Sequence, residues 1–191
     1  MNFYELQYKY PLQNLINQTR ACDTTASMLT GIHYQFGILL GREILGMQPS
    51  IYKTKQLSHN TLQDLPYYDE SGFAIIGILR AGLYIAEGIR EVFPNAQYFL
   101  VKAPQELESI VFKKVIIADS VINTGKTLRN FLAIIQAEEY YIATSVIYEA
   151  SIKEIFKQYP SVHIFSIRSS TNSYIGQGSN DTGNRLFNIK S

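Results

Sequence analysis

The most constraining feature of this sequence is a short, continuous apolar run, Phe73–Leu79 (FAIIGIL). It is bounded by turn residues, with Gly72 just before it and Gly82 shortly after it. An apolar run of this length between turn signals is typical of a β-strand that is buried on both faces. Such a strand needs helices above and below its sheet, so the run predicts an α/β fold.

The chain after this run alternates helices with further strands. The pattern predicts helices at Leu83–Val92, Thr127–Glu139 and Ile152–Tyr159, and strands at Gln97–Val101, Lys114–Asp119, Ile142–Tyr148 and Val162–Ile167. Strands that alternate with helices are joined by crossover connections. We therefore expect a mainly parallel central sheet flanked by helices, with its core in residues 73–167.

The first third of the chain has a helical pattern. From Thr24 to Leu45 apolar residues recur at three- and four-residue steps, which predicts a long helix that Gly46 can end. Its N-cap is expected at Asp23 or Thr24. Residues 1–46 are thus predicted as a helical N-terminal segment and residues 46–72 mostly as loop. Because single domains run to roughly 100–200 residues, we expect one domain over residues 1–191.

Composition argues against several classes of function. The 17 Lys and Arg residues nearly balance 16 Asp and Glu residues, for a net charge of +1, which argues against a nucleic-acid partner. No apolar run approaches the roughly 20 residues that cross a bilayer, and the N-terminus lacks a signal-peptide pattern. We expect a cytoplasmic protein without a membrane partner. Cys22 is the sole cysteine, which excludes an intramolecular disulfide and a multi-cysteine metal site.

One predicted strand end carries an acid and a polar loop. The strand that ends at Asp119 leads into a loop with Thr124 and Gly125, and a helix follows. Ligands of open parallel sheets bind beyond the carboxyl ends of the strands. The backbone N–H groups of such a loop suit a phosphate, and a carboxylate there can accept hydrogen bonds from sugar hydroxyls. A nucleotide-binding P-loop is disfavoured, because Ser120 stands where that motif needs glycine.

A second strand end carries an arginine. Arg80 follows the Phe73–Leu79 strand directly and precedes Ala81 and Gly82. Its guanidinium is expected at the rim of the sheet, where bidentate phosphate binding is its best use. The alternative is an arginine that merely extends into solvent from a strand end.

The C-terminal tail, residues 168–191, has a third unusual pattern. Gly176, Gly178 and Gly183 lie close to Asp181, which indicates a backbone that bends tightly around something. Considered alone, the segment is also compatible with a disordered C-terminal loop.

These segments together resemble uracil phosphoribosyltransferases, members of the type I phosphoribosyltransferase family. The segment from Asp119 to Thr127 is similar to their loop for phosphoribosyl pyrophosphate (PRPP), and Leu79–Gly82 is similar to their pyrophosphate loop. The tail from Tyr174 to Arg185 is similar, without a gap, to their uracil-binding segment. The Tyr10-Pro11-Leu12 segment and the long helix resemble their N-terminus. The resemblance covers most of the chain and implies a type I phosphoribosyltransferase-like fold with a C-terminal base-binding loop.

The resemblance implies transfer of phosphoribosyl from PRPP to uracil, giving UMP and pyrophosphate, in pyrimidine salvage. It implies catalytic roles for Arg80, Asp119 and Asp181. The implied PRPP-binding residues are Lys55, Arg80, Ala81, Asp119, Asn123, Thr124, Gly125, Lys126 and Thr127. The implied uracil-binding residues are Tyr174, Ile175, Asn180, Asp181 and Thr182. The resemblance further implies Mg²⁺ that arrives with PRPP near Asp181, a strained peptide bond beside Arg80, and a homo-oligomer.

Several positions depart from the family pattern. Lys126 stands where the family usually has a glycine, and Gln177 stands where it has a proline. Asn180 replaces a glycine and Asn184 replaces an aspartate. Lys55 or Lys53 stands in place of an arginine. If Lys126 requires a positive φ, the lysine costs about 1 kcal/mol. Residues 102–113 are also shorter than the family's flexible loop and arm. These departures leave two alternatives open: a transferase for another base, or a PRPP-binding regulatory protein without turnover.

Overall fold

The computed structural model describes residues 2–174 and 176–189. Its strands in this part of the chain are β1 (Asn2–Glu5), β2 (Ser50–Gln56), β3 (Leu62–Tyr68), β4 (Phe73–Ile78), β5 (Gln97–Val101), β6 (Val111–Ile122), β7 (Gln136–Tyr148) and β8 (His163–Ser170). Its α-helices are α1 (Gln13–Arg20), α2 (Ala26–Gly46), α3 (Leu83–Val92), α4 (Lys126–Ile134), α5 (Glu149–Gln158) and α6 (Thr182–Leu186). None of the described helices is long and apolar enough to cross a membrane.

Six of these strands form one sheet in the order β1-β8-β7-β6-β4-β5. Every neighbouring pair is parallel. The predicted mainly parallel central sheet is therefore confirmed. β4 is buried along its whole length, as the apolar run predicts.

Helices cover both faces of the sheet. On one face α2 and α3 pack against apolar residues of the strands, including Ile75, Ile116, Ala143 and Phe165. On the other face α4 and α5 pack against the alternate strand residues, including Ile76, Ile117, Ile142 and Ile164. The period-2 alternation of side chains along each strand thus divides the core into two layers.

Helices α2 and α3 cross with their backbones almost in contact. A Cβ on Gly37 would lie 2.2 Å from the carbonyl oxygen of Ile85, and one on Gly88 would lie 2.1 Å from that of Tyr34. Neither position has room for a side chain. This crossing fixes α3, and with it the loop that joins β4 to α3.

The predicted helical N-terminal segment is partly wrong. Residues Asn2–Glu5 form the edge strand β1, which pairs with β8, and Tyr4 stacks on Phe165 with 4.6 Å between ring centres. The long helix is present as α2 and ends at Gly46 as predicted, but its N-cap is Thr25, whose Oγ1 accepts from the Met28 N–H at 3.3 Å. The aromatic residues of β1 find their partner far along the chain, which local periodicity does not reveal.

The prediction of loop for residues 46–72 is also wrong. β2 and β3 form an antiparallel hairpin that makes a separate two-stranded sheet. Most of its residues are exposed, so the polar-apolar alternation of a half-buried strand is missing.

The predicted helix Thr127–Glu139 ends early. α4 stops at Ile134, and β7 begins at Gln136. The Tyr140 hydroxyl accepts the Ala137 N–H and donates to the Ile135 carbonyl, both at 2.8 Å. These bonds satisfy the backbone between helix and strand, which ends the helix. The predicted elements Leu83–Val92 and Gln97–Val101 are confirmed as α3 and β5.

Candidate active site

The carboxyl ends of the parallel strands meet at one edge of the sheet. Ala118 pairs with Gly77 of β4, and Asp119 pairs with Thr144 of β7. Both predicted phosphate segments, the one after β4 and the one after β6, therefore lie at the same edge.

The loops after β4 and β6 are packed backbone against backbone. The Ser120 hydroxyl donates to the Ala81 carbonyl oxygen at 2.9 Å. A Cβ on Gly82 would lie 2.3 Å from the Ala118 carbonyl oxygen, so glycine is required there. The peptide bond between Leu79 and Arg80 is cis. This packing fixes Ala81 and Asp119 relative to each other.

Arg80 is exposed at the rim of the sheet, as predicted. Its Nη2 donates to Oδ1 of Asn184 at 2.8 Å. The Asn184 amide nitrogen in turn donates to the Gly178 carbonyl at 3.1 Å. Asn184, a departure from the family pattern, thus joins the arginine of the β4 loop to the tail.

The Asp119 carboxyl group lies in a partly buried position at the end of β6. Burial raises the pKa of Asp119 to about 7, although the backbone amides of Ser120 and Val121 act to lower it. Near neutral pH the free protein therefore holds this carboxyl partly protonated. A ligand that donates hydrogen bonds to it favours the ionised form.

The loop after β6 has the backbone of a phosphate cradle. Gly125 adopts the left-handed conformation with φ of 68°, and α4 begins at the next residue, Lys126. Lys126 has helical backbone, so the lysine carries no left-handed strain there. Arg129 Nη1 donates to the Thr124 carbonyl at 3.0 Å and braces the loop. The N–H groups of the first turn of α4, which have no carbonyl partner within the helix, suit an anion.

Contacts within the tail are centred on Asp181. Asp181 Oδ1 accepts the Asn184 N–H at 2.8 Å and caps the short helix α6. A Cβ on Gly176 would lie 2.9 Å from the Asp181 Cα, so the chain passes close to it. The Tyr174 hydroxyl donates to the Asn180 carbonyl. The described residues of the tail therefore fold back around Asp181.

A cavity of about 520 Å³ lies between the tail, the turn that follows α1, and the ends of β6, β7 and β8. Four residues predicted for the site line it: Asn123, Tyr174, Asn180 and Thr182. Arg80, Asp119 and Thr124–Thr127 are not among its described lining residues. Asn123 belongs both to the phosphate loop and to the cavity wall, so the cavity lies beside the phosphate loop. Ile175 lies outside the described residues.

The structure does not bring Lys55 to these residues. Lys55 lies exposed on β2, opposite Gln63 in the hairpin. Within residues 2–174 and 176–189 it makes no hydrogen bond or ion pair with the strand-end loops or the tail. Lys53 lies on the same strand, with its Nζ 5.1 Å from the centre of the Tyr67 ring.

Arg168 and His33 are among the residues of the cavity wall that sequence reasoning did not place in the site. Arg168 comes directly after the predicted strand Val162–Ile167, as Arg80 comes after its own, so the same signal was available. His33 is buried on α2, and its Nδ1 lies 2.8 Å from the Leu29 carbonyl oxygen. Burial lowers the pKa of His33 to about 4, which keeps its ring neutral.

Comparison with known proteins assigns the family. The model of the uracil phosphoribosyltransferase family matches residues 8–189. The chain belongs to this family. The parallel sheet with helices on both faces agrees with the fold that the motifs imply.

Named relatives of this uracil phosphoribosyltransferase family member cover most of the chain. A uracil phosphoribosyltransferase of Sulfurisphaera tokodaii is 27% identical over 91% of this chain and 94% of its own length. One from Sulfolobus acidocaldarius is 30% identical over 63% of this chain and 68% of its own length. Among solved structures, the AQ2163 protein of Aquifex aeolicus superposes with a TM-score of 0.78 at 25% identity, covering 98% of this chain and 99% of that one.

Proposed function

We propose that this protein transfers the phosphoribosyl group of PRPP to uracil, giving UMP and pyrophosphate. The observation that supports the proposal is the grouping of several predicted site residues at the edge of the sheet where the parallel strands end. In a chain of this family, Arg80, Asp119 and the loop at 123–127 lie together, and Asn123 links them to a cavity lined by the tail.

The reaction needs positioning and charge stabilisation more than a reactive side chain. The bond between ribose C1 and pyrophosphate breaks, a bond from C1 to N1 of uracil forms, and the N1 proton of uracil is released. An oxocarbenium-like centre at C1 lies between these events, so no covalent nucleophile is required. Preorganised charges and fixed reactants supply the rate enhancement.

Each loop at the strand ends is chemically suited to bind one part of PRPP. Thr124–Thr127 and the N-terminus of α4 hold the 5′-phosphate through backbone N–H groups. The Asp119 carboxylate accepts hydrogen bonds from the ribose hydroxyls. Arg80 binds the departing pyrophosphate, for which the guanidinium fork is well matched. Lys55 could assist only if the exposed hairpin moves towards the site.

The base occupies the cavity beside Asn123. The tail backbone around Asn180 and Thr182, together with Tyr174, faces this space, and by family resemblance Ile175 contributes too. Uracil presents acceptor, donor and acceptor along its pairing edge. Cytosine has a donor where uracil has an acceptor, so it leaves a backbone group unpaired and is rejected.

Carboxylates of this chain fit a magnesium ion that is brought by PRPP. Mg²⁺ takes oxygen ligands, and it is commonly held by one or two carboxylates together with substrate phosphates. Asp181, whose Oδ1 accepts the Asn184 N–H and caps α6, would be the protein ligand. The ion would neutralise charge on the leaving pyrophosphate. A homo-oligomeric assembly and a cytoplasmic location belong to the same proposal.

The deciding experiment is UMP formation from labelled uracil, PRPP and MgCl₂ by the full chain. Asp119→Asn and Arg80→Ala should abolish it, while Arg90→Gln should leave it unchanged, because Arg90 is an exposed residue of α3 away from the site. Folded protein that forms no UMP would overturn the proposal. A panel of xanthine, guanine and orotate would then test a different base, and calorimetry with PRPP would test binding without turnover.

A further inference from the structure

The cavity beside the tail is strongly cationic. Its described lining residues include three arginines, Arg20, Arg168 and Arg185, and no aspartate or glutamate. A concave surface with one sign of charge concentrates ligands of the opposite sign. Uracil is uncharged, so base recognition alone does not account for this lining.

Arg185 has a structural role that uses its guanidinium. It donates to the Thr19 carbonyl at 2.7 Å and to the Ala21 carbonyl at 2.6 Å. These bonds fasten α6 to the turn after α1, and so they place Arg20 at the cavity. Arg20 and Arg168 are the two arginines that remain for a ligand.

Arg168 lies at the level of the phosphate loop. It pairs with Val146 in the register of β8 with β7, and Val146 pairs with Val121 of β6. Val121 is two residues beyond Asp119. Arg168 therefore lies at the same end of the sheet as Asp119, two strands away from β6 and on the side opposite to β4.

Arg168 is half-buried without a carboxylate bound to it. The one hydrogen bond of its guanidinium within the described residues is a long one, from Nη1 to the Ser169 carbonyl at 3.3 Å. Burial and the nearby charge of Arg20 lower the pKa of Arg168, whereas Glu5 raises it. The Glu5 carboxylate is itself engaged by the Ser169 N–H at 2.5 Å. Partial burial makes a guanidinium charge costly without a counter-charge, so an oxyanion is a suitable complement for Arg168.

We propose that Arg20 and Arg168 form an anion-binding subsite in this cavity, separate from Arg80 and the phosphate loop, which takes a carboxylate or phosphate oxyanion. Asn172 lines the same space, and its side-chain amide can donate a further hydrogen bond to the oxyanion. The hydroxyls of Ser145 and Ser170 also line the space, but they donate to the Ser120 and Asn172 carbonyls. Tyr148 and Tyr174 border it with aromatic rings, which suits an anion attached to a planar ring. Such an anion could be the carboxylate of a pyrimidine acid or inorganic phosphate.

Calorimetric titration of the full chain tests this subsite. Three probes are used: orotate as a pyrimidine carboxylate, uracil as the same ring without the carboxylate, and inorganic phosphate. Saturating ribose 5-phosphate is present throughout to compete for the loop at Thr124–Thr127. The variants are Arg168→Gln and Arg20→Gln, and Arg90→Gln is the control because it removes the same charge outside the cavity.

We expect Arg168→Gln to weaken anion binding about tenfold, the loss typical of a hydrogen bond to a charged group. Arg90→Gln should bind as the unmodified chain does, and uracil affinity should be alike in all variants. If the variants weaken the binding of orotate alone, the ligand is a carboxylate attached to a ring. If they weaken the binding of both orotate and phosphate, the subsite accepts oxyanions in general. Equal anion affinities in Arg168→Gln, Arg20→Gln and Arg90→Gln would overturn the subsite.

Two features of the experiment allow failure of the subsite to be distinguished from misfolding and from failure of the proposed function. Arg20 is exposed, so Arg20→Gln reports on the same subsite even if Arg168→Gln fails to fold. Anion binding at these arginines does not require the transferase reaction. A chain that forms no UMP but shows arginine-dependent anion binding would refute the proposed function and leave the subsite standing.

Discussion

The two halves of the candidate site are held together in different ways. On the side proposed to bind the phosphates of PRPP, called the phosphate side, Asp119 lies near the end of β6 and the β4 loop follows a buried strand. Their backbones pack so closely that Gly82 has no room for a Cβ. On the base side, the tail is tied to its neighbours by a few side-chain hydrogen bonds from Asn184 and Arg185. The sheet therefore fixes the phosphate side, whereas single side chains hold the base side. Substitutions in the two halves should differ accordingly in size.

The largest effect is expected from Arg80→Ala. Removal of one preorganised charged donor from a transition-state site costs about 10²- to 10³-fold in rate. We expect a loss of this size in kcat/KM for PRPP, measured by steady-state UMP formation. Arg90→Ala on the exposed face of α3 is the matched control and should retain activity. A loss below about tenfold in Arg80→Ala would remove Arg80 from pyrophosphate binding.

The scaffold under the phosphate side can be tested without touching the site. In Gly37→Ala the new Cβ would meet the Ile85 carbonyl, and such overpacking costs about 1–3 kcal/mol. Gly31→Ala lies on the same helix and meets open space, so it should stabilise the protein by up to about 1 kcal/mol. Urea unfolding measures both. Equal stabilities of the two variants would contradict the close crossing of α2 and α3.

The phosphate side was also the half that the sequence could predict. A buried strand has a strong apolar signal, and the residue after it must lie at the edge of the sheet, which located Arg80 and Asp119. The same rule applies to Arg168, which follows the predicted strand Val162–Ile167. Lys126 shows the limit of motif reasoning, because the positive φ belongs to Gly125, one residue earlier.

The base side and the hairpin were harder to predict for a physical reason. Arg185 bonds to carbonyls 164 and 166 positions away, and Asn184 meets Arg80 across 104 positions. Contacts between such distant residues leave no local periodicity. The hairpin of β2 and β3 is exposed on most of its residues, so its strands lack the alternation that burial imposes.

Asp119→Asn is expected to raise the stability of the protein above neutral pH although it abolishes activity. Folding raises the pKa of Asp119 from 3.8 to about 7, so between these values the folded chain holds a proton that the unfolded chain has released. Stability therefore falls as pH rises through this window, and it stays reduced above it. Asp119→Asn removes this effect. Its advantage over the unmodified chain should grow by about 2–3 kcal/mol between pH 5 and pH 8.

Thermal or urea unfolding at several pH values measures this advantage. Asp64→Asn, on the exposed strand β3, makes the same chemical change away from the sheet edge and is the control. The inactive Asp119→Asn protein should be the more stable one at pH 8. A stability difference that is constant with pH would show that the carboxyl of Asp119 is ionised throughout, and its raised pKa would be refuted.

The smallest effect is expected at Asn184, where the two halves meet. Asn184→Ala removes the acceptor for Arg80 and the donor to Gly178, and the loss of about 1 kcal/mol from the Arg80 bond should raise KM for uracil about fivefold. Asn184→Asp keeps the acceptor for Arg80 and loses only the donor to Gly178. If the contact with Arg80 couples the halves, Asn184→Asp should change KM for uracil by less than about twofold. Equal increases in both variants would instead assign the coupling to the Gly178 bond, and the tail would then be held from within, independently of the phosphate side.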